Sequence, residues 1–279
     1  MDKKEIKQFL GLIIPFLVII YLFVFWNPFL FIGTTIKTIE KFENPFGNNE
    51  KQSKIPKIIH QIWLGPGEPP TQFMNTWKID YLKMYPDFEY ILWDDKKIKE
   101  LYWSEDLNKI YNLEQDPQAK SDVARLLILY FKGGIFIDPY SVWVNNKNLN
   151  DLITKAYRQE NNFFVAREPN QNWIGNGVIG SISKHPALNF LLEKLEIIAD
   201  GYQEIREKTP SYIVTGPVFV NRAVMDNYPI TIFPDVFFYY PPKSWRGDCK
   251  NNDKLLEQVP KTAYMINYNY SRNNHADFS

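Results

Sequence analysis

The sequence predicts an α/β fold, a mixed sheet flanked by helices, and three observations carry that prediction. Helical and strand-like segments alternate along most of the chain. A stretch of good helix formers, Ala119 to Lys132, ends on Gly133-Gly134, and glycine takes the backbone conformations that stop helices at little steric cost. The unbroken apolar run Ile135-Phe136-Ile137 follows, as expected of a strand covered on both faces. Asp138 then stands at the carboxyl end of a buried strand, where open α/β sheets place their ligands.

The elements follow in order. Lys57 to Gly65 reads as a first strand leading into the Pro/Gly-rich loop Gly65-Pro-Gly-Glu-Pro-Pro70. Thr71 to Tyr85 carries Phe73, Trp77, Tyr81 and Met84 at helical spacing, and Pro86-Asp87 ends it. Phe88 to Trp93 is a second strand, and Lys96 to Leu113 is helix and loop. In the central helix Val123, Leu126, Leu127 and Tyr130 form one apolar stripe. Val142-Trp143-Val144 comes next, then a helix near Leu149 to Tyr157 and a strand at Phe163 to Ala166. Trp173 to Ser181, with Asn176-Gly177-Val-Ile-Gly180, reads as a turn or strand edge. Pro186 to Ala199 and Val218 to Met225 are helices, and Ile230 to Phe233 and Ala263 to Ile266 are strands. Lys243 to Lys261 reads as mostly irregular.

The chain of 279 residues is 45% hydrophobic and 16% aromatic, ample for a large core. Its 32 basic and 32 acidic residues cancel, so no global field favours nucleic acid. One cysteine, Cys249, excludes an internal disulfide and any multi-cysteine zinc site. The three histidines (His60, His185, His275) lack the HExxH spacing of zinc hydrolases.

At the amino end, residues 1–8 form a lysine-bearing tail, and an uncharged, mostly apolar segment spans 9–32. Its length suits a transmembrane helix, and no small-x-small cleavage site follows, which favours an uncleaved signal-anchor over a signal peptide. Lysines on the short side place that end in the cytoplasm. The expectation is a single-pass type II membrane protein whose bulk is lumenal (Golgi-like) or extracytoplasmic. Residues 33–54 are polar and aperiodic, a stem, and 55–279 form the domain.

Asp122 and Arg125, spaced i, i+3, share a helix face. Spacing alone leaves open an exposed ion pair of small value. Asp138 precedes a proline, which favours a turn over the other reading its carboxylate allows, a hard-cation ligand. Trp63, at the end of the first strand, is either a core residue or a platform for a nucleobase. Asn267 and Asn269 lie beyond the last predicted strand, and Asn269-Tyr-Ser271 is a glycan acceptor triplet if lumenal. Gly65-Pro-Gly67 matches no phosphate-loop pattern.

Together, Ile55-Pro-Lys-Ile-Ile-His-Gln-Ile-Trp63, Ser121-Asp122-x-x-Arg125 with Gly133-Gly134-Ile-Phe-Ile-Asp138, and Thr215-Gly216-Pro217 resemble the DxD-type glycosyltransferases. These include the yeast initiating α-mannosyltransferase, the inositol-phosphoceramide mannosyltransferases and the catalytic domains of large clostridial toxins. The resemblance covers about Ile55 to Tyr270. It implies a GT-A fold and transfer, with retention, of a hexose from GDP-mannose or a UDP-hexose to a glycan or glycolipid acceptor. By the same resemblance Trp63 stacks on the base, Asp122 and Arg125 hold the donor sugar, and Asp138 is the first DxD acid. Trp63, Asp122, Arg125 and Asp138 are thus the implied donor-binding residues, and the last three the implied catalytic ones. Mn²⁺ or Mg²⁺ is the implied cofactor, with Asp138 and Asn267 as its ligands.

Two departures stand out. The second DxD acid falls on Tyr140, in Asp138-Pro139-Tyr140, and the family's C-terminal histidine falls on Asn267. Three outcomes follow from the sequence: a metal-independent transferase, an altered metal site, or a catalytically inactive sugar-nucleotide-binding pseudoenzyme or scaffold partner of an active transferase.

Overall fold

The computed structural model describes residues 54–168, 173–225, 227–239 and 258–268. The expected anchor (9–32), the tail, the stem up to residue 53, Cys249, Asn269 and the Asn269–Ser271 triplet lie outside the described residues. By its contacts the chain divides into Met1–Lys51 and Gln52–Ser279, and the described residues all belong to the second unit. Among the described residues no helix is long and apolar enough to cross a membrane.

A six-stranded sheet forms the centre, in the order β2-β1-β3-β6-β5-β7. Its strands are β1 (Ile58–Ile62), β2 (Glu89–Trp93), β3 (Gly134–Ile137), β5 (Phe163–Arg167), β6 (Ile174–Ser181) and β7 (Thr231–Phe233). β1 runs parallel to β2 and β3, β6 runs antiparallel to β3 and β5, and β7 is parallel to β5. β1, β3 and β5 therefore all end on the same edge of the sheet. A smaller sheet joins β4 (Ser141–Trp143), β9 (Met265–Asn267) and β8 (Phe238–Tyr239) in that order. The mixed α/β expectation holds.

The helices α1 to α9 cover the sheet. α1 is one helical run, Thr71–Asn75, a π-helical turn Thr76–Tyr81, then Leu82–Met84. Its Phe73, Trp77 and Tyr81 are buried as the spacing predicts, whereas Met84 is exposed, because the π turn shifts the register of the last turn. α2 (Asp95–Lys99) and α3 (Glu105–Leu113) follow β2. α5 is Asn150–Arg158, α6 is Pro186–Ile197, and α7 to α9 are Tyr202–Lys208, Ser211–Val214 and Pro217–Val224.

The central helix α4 (Pro117–Lys132) starts with Asp116, whose side chain accepts from the Gln118 N–H at 2.9 Å, and with Pro117 in its first turn. The expected single stripe is too narrow. Every residue from Asp122 to Leu129 is buried, because α4 is packed between the sheet and other helices, α6 and α3 among them. β3 is buried along its whole length, as its apolar run requires.

The turn from α4 to β3 needs glycine twice. Gly133 and Gly134 have φ of +63° and +102°. A Cβ on Gly134 would lie 2.7 Å from His60 Nε2 and from the Ile58 carbonyl, and one on Gly133 would lie 2.7 Å from the Ser183 nitrogen. His60 is fully buried, with Nε2 2.8 Å from the Gly133 carbonyl and Nδ1 accepting from Trp93 Nε1 at 3.1 Å. That bonding makes His60 a neutral tie between the first strand and the glycine turn, and burial holds its pKa down to about 4.

β6 corrects the sequence reading of Trp173 to Ser181 as a turn or strand edge. It is an eight-residue strand at the middle of the sheet, buried except at Gly177. Its glycines concealed it. A side chain on Gly180 would collide with the Phe164 ring from β5, so this strand stays bare where its neighbour's aromatic leans across. Another correction concerns Asn267, which is the last residue of β9 and not beyond it.

Candidate donor site at the carboxyl edge of the sheet

The site begins with three residues in equivalent places. Trp63, Asp138 and Glu168 are each the first residue after a strand of the mutually parallel set β1, β3 and β5. Between the last two lies β6, whose register against β5 is irregular. Val165 pairs with Ile179 and Arg167 with Ile174, so two steps on β5 span five on β6. The three extra residues are an odd number, which reverses the facing of side chains along the strand. Ile174 and Ile179 thereby both enter the main core.

Asn176 lies in this irregular stretch and ties it to α4. Its Nδ2 donates to Asp122 Oδ1 at 2.9 Å, and its carbonyl accepts from Arg125 Nη1 at 2.6 Å. Arg125 Nη2 lies 2.9 Å from Asp122 Oδ1, with both side chains about 5% exposed. An exposed surface pair is thus excluded. Arg125 Nε donates to the Ser121 carbonyl at 3.1 Å, Nη2 reaches Ser121 Oγ at 3.2 Å, and the guanidinium stands 4.2 Å from the centre of the Phe136 ring. Thr215 Oγ1 lies 3.3 Å from Asp122 Oδ2.

The Thr215-Gly216-Pro217 motif gains a physical meaning here. Thr215 reaches the carboxylate, Gly216 leaves room for the Tyr212 backbone (a Cβ would come within 2.7 Å of its Cα), and Pro217 opens α9. Burial raises the Asp122 pKa to about 6, opposed by Arg125 and by the bonds from Asn176 and Thr215. Near neutral pH the pair is ionic, and a buried ion pair with further hydrogen bonds is rigid and geometrically specific.

Asp138 sits beside this network. Its N–H donates to the Gly177 carbonyl at 2.9 Å, its Oδ1 accepts from the Tyr140 N–H at 2.9 Å, and its carbonyl accepts from Gln61 Nε2 at 3.2 Å. The Asp-Pro turn read from the sequence is therefore real, and the carboxylate is buried in it. A Cβ on Gly177 would stand 3.3 Å from Asn267 Nδ2 and 4.0 Å from Asp138 Cβ, so both side chains converge over that glycine. Asn267 pairs with Ser141 across β9 and β4, and among the described residues the buried Ser141 Oγ has no hydrogen-bond partner.

Those atoms decide whether a divalent cation fits. Among the described residues no group of three His, Cys, Asp or Glu side chains could hold a metal. Asp138, Asn267 and the unpartnered Ser141 hydroxyl nonetheless supply hard oxygens from neighbouring places. Mg²⁺ commonly takes one or two carboxylates and completes its shell with water and substrate phosphate. The set fits an ion delivered with a diphosphate, at one negative charge rather than two.

Tyr140 explains what replaced the second charge. Its ring lies edge-on to Trp63 at 6.0 Å and to Phe73 at 5.9 Å, joining an aromatic cluster that includes Tyr268. Trp63 is half-buried, its Nε1 donates to the Gly67 carbonyl at 3.0 Å, and Gly65 lies against its ring. The Pro/Gly loop thus braces the indole, which is neither deep core nor free surface. Trp63, Asp122, Arg125, Asp138 and Asn267 were visible in the sequence. Asn176, Gln61 and Glu168 carry no comparable signal, apart from the place of Asn176 between two glycines.

Residues 71–159 match the family model described as "Glycosyltransferase sugar-binding region containing DXD motif". That span holds Asp122, Arg125, Asp138 and Tyr140. A glycosyltransferase of Acanthamoeba polyphaga mimivirus is 30% identical over 223 residues, which cover 78% of this chain and 83% of that protein. The chain belongs to the DXD-region glycosyltransferases. Among other members of this family, inositol phosphoceramide mannosyltransferase 3 of Schizosaccharomyces pombe is 28% identical over 210 residues, 71% of this chain and 54% of that protein. The mannosyl phosphorylinositol ceramide synthase of Saccharomyces cerevisiae is 30% identical over 230 residues, 78% of this chain and 55% of that protein. The chain therefore spans about half the length of these two yeast relatives. Among solved structures, the PaToxG glycosyltransferase aligns with a TM-score of 0.47 and 20% identity over 62% of this chain and 70% of that one. In this chain Asp138-Pro139-Tyr140 stands in the place of the motif that names the family.

Proposed function

We propose that this chain is a retaining hexosyltransferase built on a GT-A domain, which takes a hexose from GDP-mannose or a UDP-hexose and gives it to a glycan or glycolipid acceptor. One observation carries the reading: a buried Asp122–Arg125–Asn176 network stands next to Asp138 at the edge where β1 and β3 end. The likeness to yeast enzymes named for mannosyl transfer to inositol phosphoceramide favours mannose and a glycolipid within that class.

In this proposal the nucleobase lies on Trp63, whose ring is held upright by Gly67 and Tyr140. The diphosphate lies over Asp138 and Asn267, and the hexose over Asn176, Asp122 and Arg125. Asp138 and Asn267 would hold Mn²⁺ or Mg²⁺, with Ser141 close by. When bound, such an ion neutralises the charge of the leaving diphosphate. The chain's own work is orientation: Arg125 and Asp122 are locked by five hydrogen bonds and a stacked ring, so they offer fixed dipoles at little reorganisation cost. We also propose a type II arrangement, with 9–32 in the bilayer and the domain on the lumenal or extracytoplasmic side.

Incubating the full chain in detergent with GDP-mannose, UDP-glucose or UDP-galactose and Mn²⁺ tests the reading. Release of GDP or UDP with free hexose or hexoside supports it. No release from any donor, with nucleotide still bound, selects the second reading, a sugar-nucleotide-binding pseudoenzyme. Tyr140 is the observation that favours that alternative, since it turns a charged position into part of an aromatic cluster.

A further inference from the structure

The carboxyl edge carries one more acid than donor binding uses. Glu168 follows β5, which runs parallel to β3 and lies two strands away from it, about 10 Å at ordinary strand spacing. Its N–H donates to the Trp173 carbonyl at 3.0 Å, and its carboxylate is laid over Gly175, where any Cβ would collide with it. Gly175 and Gly177 share a face of β6, so Glu168 lies next along the strand from the place where Asp138 and Asn267 converge. Among the described residues its carboxylate has no hydrogen bond and no ion pair, although burial raises its pKa to about 7. A half-buried carboxylate without a partner is costly to keep. Placed beside a site, such a group suits a partner that arrives with the substrate.

Order along the sheet edge names that partner. Trp63, Asp138 and Asn176 lie on β1, β3 and β6 in turn, the sequence base, diphosphate, hexose. β5 comes next, beyond the hexose. We propose that Glu168 is an acceptor-binding residue, its carboxylate accepting a hydrogen bond from a hydroxyl of the sugar or cyclitol that receives the hexose. The inference rests on the transferase reading above and adds the acceptor's place and chemistry.

Glu168→Gln keeps the shape and removes the charge. The test uses the full chain in detergent, GDP-mannose as donor, and methyl α-mannoside or myo-inositol 1-phosphate as acceptor, scoring transfer and donor hydrolysis separately. The variant should raise acceptor KM or lower transfer by about 10-fold or more, with donor KM and hydrolysis within about twofold. Glu168→Asp should recover part of the transfer. Equal loss of hydrolysis and transfer, or no change in either, overturns the inference. A wild type that turns over no donor overturns the transferase reading instead. Calorimetric binding of both acceptors to the GDP-loaded chain then decides: weakening by about 10-fold in Glu168→Gln supports the inference, and equal binding, or none by the wild type, overturns it.

Discussion

Asp122 and Arg125 illustrate how much a buried pair depends on its surroundings. At helix spacing they read equally well as surface charges, yet both are about 5% exposed, both bond Asn176, and Asp122 also bonds Thr215. Removing one partner leaves an uncompensated buried charge, which costs about 3–5 kcal/mol. Asp122→Ala should therefore abolish donor turnover and lower the denaturation midpoint, whereas Asn176→Ala should cost about 1–3 kcal/mol and still fold. Urea titration of both variants checks the order, and an Asp122→Ala as stable as the wild type would contradict it. The same pair predicts an acid limb. With the Asp122 pKa at about 6, turnover should fall as pH drops through 6, because the carboxylate that holds Arg125 is then protonated. Tyr140→Asp asks a different question at the same scale. It restores a carboxylate two residues from Asp138 and removes a ring from Trp63, so Mn²⁺ dependence should rise while nucleotide affinity drops. Unchanged metal dependence would mean that position 140 does not face the cation.

At the scale of elements, glycine decides what can pack. Gly134→Ala places a Cβ at φ +102° and 2.7 Å from His60 and Ile58, and should destabilise by well over 1 kcal/mol. A thermal midpoint equal to the wild type's would contradict the account of this turn. Glycines also mark the limit of what the sequence disclosed. The Gly133-Gly134 stop, the buried β3 and Asp138 at its end were legible because helix period, glycine pair and apolar run agree over adjacent residues. β6 was not, since Gly175, Gly177 and Gly180 erase the alternation that identifies strands and are there to admit Glu168, Asp138 with Asn267, and Phe164. Thr215-Gly216-Pro217 stands out as a motif, but its grip on Asp122 depends on a contact across 93 residues, which no local pattern encodes. For the same reason Met84 kept a helical period in sequence while the π turn rotated it outward.

For the whole molecule, buried titratable groups oppose one another. His60 and His185 stay neutral down to about pH 4, while unfolded imidazole takes up its proton at 6.5. Each therefore lowers stability as pH falls from 6.5 to 4. Asp122 and Glu168 bind protons at about 6 and 7, earlier than the 3.8 and 4.5 of unfolded carboxyls. Each therefore raises stability as pH falls across its own window. The unfolding free energy should stay nearly level between about pH 7 and 4.5, and Glu168→Gln, which deletes one of the opposing carboxyls, should make it fall more steeply on acidification. Parallel urea titrations of the two proteins read the slopes, and identical slopes would contradict the burial assigned to Glu168.

In the proposed arrangement one sheet edge lays out a nucleotide sugar from Trp63 across Asp138 to Asn176. A structure of the full chain with GDP-mannose or UDP-glucose and Mn²⁺ measures this directly. The base is expected against the Trp63 ring, the diphosphate within reach of Asp138 and Asn267, and hexose hydroxyls over Asn176 and Arg125. A nucleotide bound elsewhere, or a hexose directed away from the Asp122–Arg125 pair, would contradict it.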